Sequence, residues 1–104
     1  MSRPDIRMPF YVGDFLAETT RLDTEQKGAY LLLLLDLWKN GSLPDDDATL
    51  ARITRLPIDR WKEHRPILAN LFYLDGSDWH HERIKRGRAT AEEQRVPQRP
   101  GVQV

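Results

Sequence analysis

The strongest pattern in this chain is an apolar run that fits a helix. Between Thr24 and Lys39, leucines, a tyrosine and a tryptophan cover most of a helical wheel and leave one polar stripe. Asp23 is a favourable N-cap, Gln26 occupies the reciprocal position of a capping box, and Asn40-Gly41 is a typical helix end. The pattern therefore predicts a central helix that neighbouring elements touch on several sides.

Two further helices are predicted after this one. The acidic run Asp45–Asp47 supplies an N-cap and first-turn negative charge for a short helix that ends near Thr54. Pro57 suits the first turn of a third helix, which runs to about Asn70. Pro66 lies inside that segment. Because proline removes a backbone donor, we expect a kink there or a division of the helix into two pieces.

The next segment has the pattern of a β-hairpin. Two short runs with aromatic residues, Phe72–Leu74 and Trp79–Ile84, flank a turn that contains Asp75-Gly76. The order helix, short helix, helix, hairpin is that of a winged helix-turn-helix. The sequence thus predicts a mainly α fold with a small β-hairpin, of the α+β class, in which residues 17–86 form a winged-helix-like domain.

The two ends of the chain lack helical periodicity. Residues 1–16 contain Pro9 and Gly13, and we expect them to form an extended arm that packs on the core. The side chains expected to attach this arm are Phe10, Tyr11 and Phe15. Residues 87–104 are polar and include prolines, so their composition predicts a disordered tail.

Charge is divided unevenly along a chain of zero net charge. Nine acids and five bases lie in residues 1–51, so that half carries about −4 and the remainder about +4. Such asymmetry is compatible with a face that meets an anionic partner. The 104 residues contain no cysteine, and the longest apolar run, Ala29–Leu35, is far shorter than the roughly 20 residues of a membrane span. We expect a cytoplasmic protein with no membrane partner.

Candidate catalytic and metal-binding residues are few. Ser77 lies near Asp78 and His80, but at an exposed hairpin tip where a triad would lack a preorganised pocket. His80 and His81 are adjacent on a strand and point to opposite faces, so they do not suit one metal ion. We expect no catalytic activity, no cofactor and no metal site.

Basic residues of the second half are the candidate contacts for nucleic acid. In a winged helix the third helix enters the major groove and the wing touches the DNA backbone or minor groove. Here the third helix also carries Asp59 and Glu63 on its outward side, and the densest basic patch follows the hairpin. The predicted contacts are Arg55, Arg60, Lys62, Arg65, Arg83, Lys85, Arg86 and Arg88.

A protein-docking module is the alternative interpretation. Net neutrality and the mixed third helix favour docking of a replication protein or other host factor without DNA. The expected partner is therefore DNA, duplex or single-stranded, or a replication protein, and a homodimer is compatible with the sequence. A contiguous positive face over the third helix and wing would favour DNA, and a broken pattern would favour protein.

Several motifs in order also resemble the YdaU-like domain of unknown function. They include MPFYVGDFLA from Met8, GAYLLLL from Gly28, LPDDD from Leu43 and LARI from Leu50. The resemblance covers roughly residues 8–86 and implies a winged-helix fold of phage or prophage origin. It also implies a part in initiating DNA replication, through DNA or the host helicase machinery, inside a bacterial or phage-infected cell. Many relatives continue into a longer basic helix, whereas this sequence ends in a proline-containing tail.

Overall fold

A computed structural model describes residues 7–95 of the chain. Within them the chain forms five helices and a three-stranded antiparallel sheet. In chain order the elements are α1 (Val12–Glu18), α2 (Thr24–Asn40), β1 (Leu43–Pro44), α3 (Asp47–Thr54), α4 (Ile58–Ala69), β2 (Tyr73–Asp75), β3 (Asp78–His80) and α5 (Glu82–Arg95). The fold is mainly helical with a small sheet, which confirms the predicted α+β class.

Helix α2 is the centre of the core, as its apolar wheel predicts. The apolar side chains buried along it are Ala29, Tyr30, Leu33, Leu34 and Leu37. Its start is the predicted capping box, in which the Gln26 N–H donates to Asp23 Oδ1 at 2.8 Å and the Asp23 N–H donates to Gln26 Oε1 at 3.0 Å. Gly41 ends the helix at φ 94°, a left-handed conformation that glycine adopts without strain.

The sheet adds one strand to the predicted hairpin. Strands β2 and β3 pair antiparallel around a turn in which Gly76 has φ 71°. Strand β1 lies in the connection between α2 and α3 and pairs with the other edge of β3, so the strand order is β1-β3-β2. Two residues are too few to show the alternation that marks a strand in a sequence, so β1 was not predicted.

Helix α1 contradicts the predicted extended arm. The helical turn brings Phe15 into a stack on Tyr30, with ring centroids 5.7 Å apart. This tertiary contact outweighs the weak local preference of a segment that contains a glycine and follows a proline. Phe10 and Tyr11 were expected to pack on the core, but they are 45% and 52% exposed. The first six residues of the predicted arm lie outside the described residues.

Helix α5 contradicts the predicted disordered tail as far as Arg95, and residues 96–104 lie outside the described part. The physical reason is packing on α2. A Cβ added to Gly87 would lie 3.0 Å from Trp38 Cζ3, so only glycine allows this approach without adjustment. The neighbouring Arg88 side chain donates to the Trp38 carbonyl. Gly87, the first residue of the predicted tail, is thus a point of close approach between α5 and α2.

Helices α3 and α4 begin and end close to their predicted limits. Asp46 is the N-cap of α3 and accepts the Thr49 N–H at 2.9 Å. Helix α4 is continuous through Pro66, so the predicted division into two pieces is wrong. Trp61 and Leu68 are fully buried on either side of the proline. The burial of these two side chains holds the helix in place before and after the hydrogen bond that Pro66 cannot form. It offsets the free-energy cost of the proline.

Candidate interaction surface

The outward face of α4 carries charges of both signs. Asp59, Lys62 and Glu63 are exposed on it, together with Pro66 and Ile67. Two carboxylates and one ammonium group give this face no positive excess. The helix expected to contact DNA bases therefore exposes both acidic and basic side chains, as its sequence indicated.

Arg60 lies on α4 but is engaged with α2. Its guanidinium donates to Glu25 Oε1, and the same oxygen accepts from His64 Nε2 at 2.7 Å. The Gln26 side-chain oxygen already accepts from the Asp23 N–H, so its amide nitrogen donates to His64 Nδ1 at 3.0 Å. In this arrangement His64 accepts a hydrogen bond at Nδ1 and donates one from Nε2. Hydrogen bonds from Arg60, and then from His64, lower the pKa of Glu25.

Arg65 is held between two carboxylates of the acidic run. It donates to Asp45 Oδ1 at 2.6 Å and to Asp47 Oδ1 at 2.7 Å, and its guanidinium carbon lies 5.3 Å from the centroid of the Trp79 ring. The indole N–H of Trp79 lowers the pKa of Asp45, and that of Trp61 lowers the pKa of Asp47, each with a smaller contribution from Arg65. This arrangement uses two of the three aspartates for cross-element bonds, so helix capping does not account for the whole run.

Arg83 belongs to a partly buried cluster that joins α1, α2 and α5. It forms two parallel hydrogen bonds to the Glu18 carboxylate, at 2.8 and 2.9 Å. The Tyr30 hydroxyl donates to Glu18 Oε1 at 2.7 Å and lies 2.9 Å from His81 Nε2. Because the hydroxyl proton is used on Glu18, His81 must donate from Nε2, which leaves its buried Nδ1 without a hydrogen-bond partner among the described residues.

The electrostatics of this cluster favour one protonation state. The hydrogen bond between Arg83 and Glu18 is the main cause of two shifts. It lowers the pKa of Glu18 and raises the pKa of Arg83. Burial raises the pKa of Tyr30. Burial, followed by the charge of Arg83, lowers the pKa of His81. At neutral pH the cluster therefore contains one ion pair and two neutral side chains. Arg83 is used in that ion pair and stabilises the fold.

The remaining predicted contacts lie on different elements. Arg88 donates to the carbonyl of Trp38, in the last turn of α2. Arg86 is exposed and lies 3.4 Å from Glu82 one turn earlier on α5. Arg55 at the end of α3, Lys62 on α4 and Lys85 on α5 are exposed, and within residues 7–95 none forms an ion pair shorter than 4 Å. The basic cluster assigned to the hairpin exit thus lies on a helix.

The surface between α4 and β2 contains a feature that sequence reasoning missed. An open cavity of about 190 Å³, called the α4–β2 groove below, is lined by Arg65, Ala69, Phe72, Tyr73, Leu74 and Trp79. Leu74 and Trp79 are register partners in the sheet and therefore share one of its faces. No signal in the sequence indicated that α4 leaves this part of the face uncovered.

The described part of the chain contains neither a metal-binding cluster nor a membrane-spanning helix. Between residues 7 and 95, no three histidine, aspartate or glutamate side chains are grouped so that they could hold a metal ion. Over the same residues, no helix combines the length and the apolar character needed to cross a membrane.

Fold and surface together define a small helical domain whose three-stranded sheet borders an open groove. Residues 8–87 match the model of a family described as "Protein of unknown function (DUF1376)", and the chain belongs to that family. It is 40% identical over 86 residues to the uncharacterized protein YdaU of Escherichia coli (strain K12). The match covers 83% of this chain and 30% of YdaU, so the chain spans about 30% of that relative's length. No solved structure matches the chain.

Proposed function

We propose that this domain is a non-catalytic protein-interaction module of the winged-helix plan, and that it docks a partner protein through α4 and the β2–β3 hairpin. The observation that carries the proposal is the charge of this surface. Its arginines, Arg60 and Arg65, are already paired with carboxylates of the same chain. Phosphate would have to compete with these pairs for both guanidinium groups.

The order of elements supports the winged-helix interpretation. Helix α2, strand β1, helices α3 and α4 and the β2–β3 hairpin follow one another, and β1 completes the sheet beside β3. In a DNA-binding winged helix, α4 would enter the major groove and the hairpin would touch the DNA backbone or minor groove.

The end of the hairpin carries the wrong charge for that role. Asp75 and Asp78 face each other across the hairpin, and the Asp45 N–H donates to the Ser77 carbonyl at 3.0 Å. We call Asp75 and Asp78 the acidic tip. Each of these two carboxylates would cost about 1 kcal/mol at 4 Å from a phosphate in water, whereas DNA binding gains from cations that release counterions.

The proposed setting is DNA replication of a phage or prophage inside the host cytoplasm, where the partner would be a replication protein or other host factor. This part of the proposal is supported by the family resemblance.

DNA binding is the second candidate, and one observation favours it. Arg55, Lys62 and Lys85 are exposed and free of ion pairs within the described part of the chain. Phosphate contacts by these cations would make binding strongly dependent on salt.

Fluorescence anisotropy with labelled duplex and single-stranded DNA at about 50 mM salt separates the two candidates, since phosphate contacts are strong at low salt. We expect no saturable binding. Affinity that falls steeply with added salt, and that disappears in the double variant Arg55→Glu and Lys62→Glu, would establish the DNA candidate instead.

The docking candidate has its own test. Cross-linked capture from a bacterial lysate should recover the same protein with the wild-type chain and with the control variant Lys85→Glu. The double variant Glu63→Lys and Asp75→Lys, which reverses charge on α4 and the hairpin, should lose it. Equal capture by both variants would contradict docking through this surface.

A further inference from the structure

Leu74 lies on the core-facing side of the sheet but is not covered by the core. Leu43 on β1 and Leu74 on β2 are both register partners of Trp79 on β3, so the three side chains form one row on the same face. Leu43 is 0% exposed and Trp79 is 2% exposed, whereas Leu74 is 58% exposed. The row therefore extends past the helices that bury its other two members.

Strand β2 is also an edge of the sheet. All three of its residues, Tyr73–Asp75, are exposed, and within residues 7–95 the only strand paired with it is β3. Its outer N–H and C=O groups are therefore available to an added strand, which is a common way for a protein to bind an extended segment.

The groove below this edge has room for one large apolar side chain. Its volume of about 190 Å³ exceeds the roughly 150 Å³ of an engineered cavity that binds benzene. Phe72 and Trp79 supply aromatic walls, and Ala69 leaves space on the α4 side. Arg65 also lines the groove, but its charge is already balanced by Asp45 and Asp47.

The outer side of the same edge is acidic. Asp75 follows Leu74 directly and points to the opposite face of the sheet, where its register partner is Asp78. An added strand that places an apolar residue opposite Leu74 would place its next residue opposite Asp75. A lysine or arginine at that position would form an opposite-charge cross-strand pair. A second copy of this chain would instead bring another acidic tip to the same place.

We propose that the β2 edge binds an extended segment of the partner protein by strand addition. An apolar side chain of that segment fills the α4–β2 groove, and an adjacent basic side chain pairs with Asp75. This inference rests on the proposed docking function, because it names the site and the chemistry of the partner within the same surface.

NMR titration of the full chain with synthetic peptides tests the inference. The first peptide carries a leucine with lysine on both sides within a threonine- and valine-rich run, so either strand direction brings a lysine opposite Asp75. The second replaces both lysines with glutamate, and the third keeps the lysines but is N-methylated along its backbone. We expect the first peptide to shift the amide signals of Tyr73–Asp75 and the indole signal of Trp79. The second should cause the same shifts with about fivefold weaker affinity, and the third should leave the signals unchanged.

Substitutions in the chain measure how much each side chain contributes to peptide affinity. Leu74→Ala should weaken binding of the first peptide by about tenfold, since half of a buried leucine contact is lost. Leu16→Ala is the matched control, because Leu16 on α1 is exposed to 59% and should not affect binding. Asp75→Lys should weaken binding by about fivefold and should strengthen binding of the glutamate peptide.

Three results would overturn the inference: no shift at β2, equal affinity for the lysine and glutamate peptides, or nuclear Overhauser contacts that place residues 96–104 in the groove of the free protein. If lysate capture survives in Leu74→Ala while the peptide leaves β2 unchanged, this inference fails and the docking function stands. Salt-dependent DNA binding together with absent capture would instead overturn the docking function.

Discussion

The same substitution, glycine to alanine, should have opposite effects in two helices of this protein. Gly28 lies inside α2 and is exposed, and a Cβ added there would meet no atom within 4 Å. Gly87 lies inside α5, and a Cβ added there would lie 3.0 Å from Cζ3 and 3.8 Å from Cη2 of the Trp38 ring. An indole ring is rigid, so the conflict cannot be relieved by rotation of a flexible chain end.

The magnitudes follow from two opposing contributions. Alanine is favoured over glycine in a helix interior by about 1 kcal/mol, and at Gly28 this gain is unopposed. At Gly87 the same gain is set against overpacking, which costs typically 1–3 kcal/mol. We therefore expect Gly28→Ala to raise the free energy of unfolding by about 1 kcal/mol, and Gly87→Ala to lower it by about 1 kcal/mol.

Urea unfolding followed by circular dichroism measures both values, provided that the slope against urea is unchanged. The double variant should show nearly additive effects if the two sites are independent. An increase in stability for Gly87→Ala equal to that for Gly28→Ala would refute the close approach of α5 to Trp38.

Three further predictions concern side-chain bonds. Arg88→Ala should destabilise the fold by about 1 kcal/mol through loss of its bond to the Trp38 carbonyl, whereas Lys85→Ala on the same helix should change stability by less than about 0.5 kcal/mol in the same urea assay. Because Arg83 lowers the pKa of Glu18 in the folded state, this pair stabilises the fold above the unfolded pKa of about 4.3, and the contribution is lost as pH falls through the lower folded value. Urea unfolding across the acid range should therefore show a smaller loss of stability in Glu18→Gln than in the wild type, and an identical loss would contradict the pairing. Burial lowers the pKa of His81, so stability should decline as pH falls below about 6.5, by at most about 1.4 kcal/mol per pH unit, and His81→Gln should remove this contribution.

The parts of the fold that the sequence predicted are those with strong local signals. A few neighbouring residues were enough to predict three features: the apolar wheel of α2, the Asp23–Gln26 capping box and the Asp75-Gly76 turn. The errors at α1 and α5 both came from local preference: Gly13 was treated as a break, and residues 87–104 were interpreted as a tail because they are polar and include prolines. Stacking of Phe15 on Tyr30 and the approach of α5 to Trp38 outweigh that preference.

The candidate surface was less predictable, because partners distant in sequence decide which charges are free. Arg60 pairs with Glu25 and Arg83 pairs with Glu18, at separations of 35 and 65 residues. No local pattern distinguishes these arginines from Arg55, which forms no ion pair with any other described residue. The exposure of Leu74 likewise depends on where α4 ends above the sheet. Composition and residue spacing do not predict that position.

The bonds around Arg65 give this protein an optical reporter of its own. Two of its three tryptophans, Trp61 and Trp79, donate their indole N–H groups at 2.9 Å to Asp47 and Asp45, and Arg65 bridges the same two carboxylates. Indole emission responds to charge close to the ring. Any occupant of the groove that displaces Arg65 should therefore change the emission wavelength of the unlabelled protein, so screening for partners requires no attached dye.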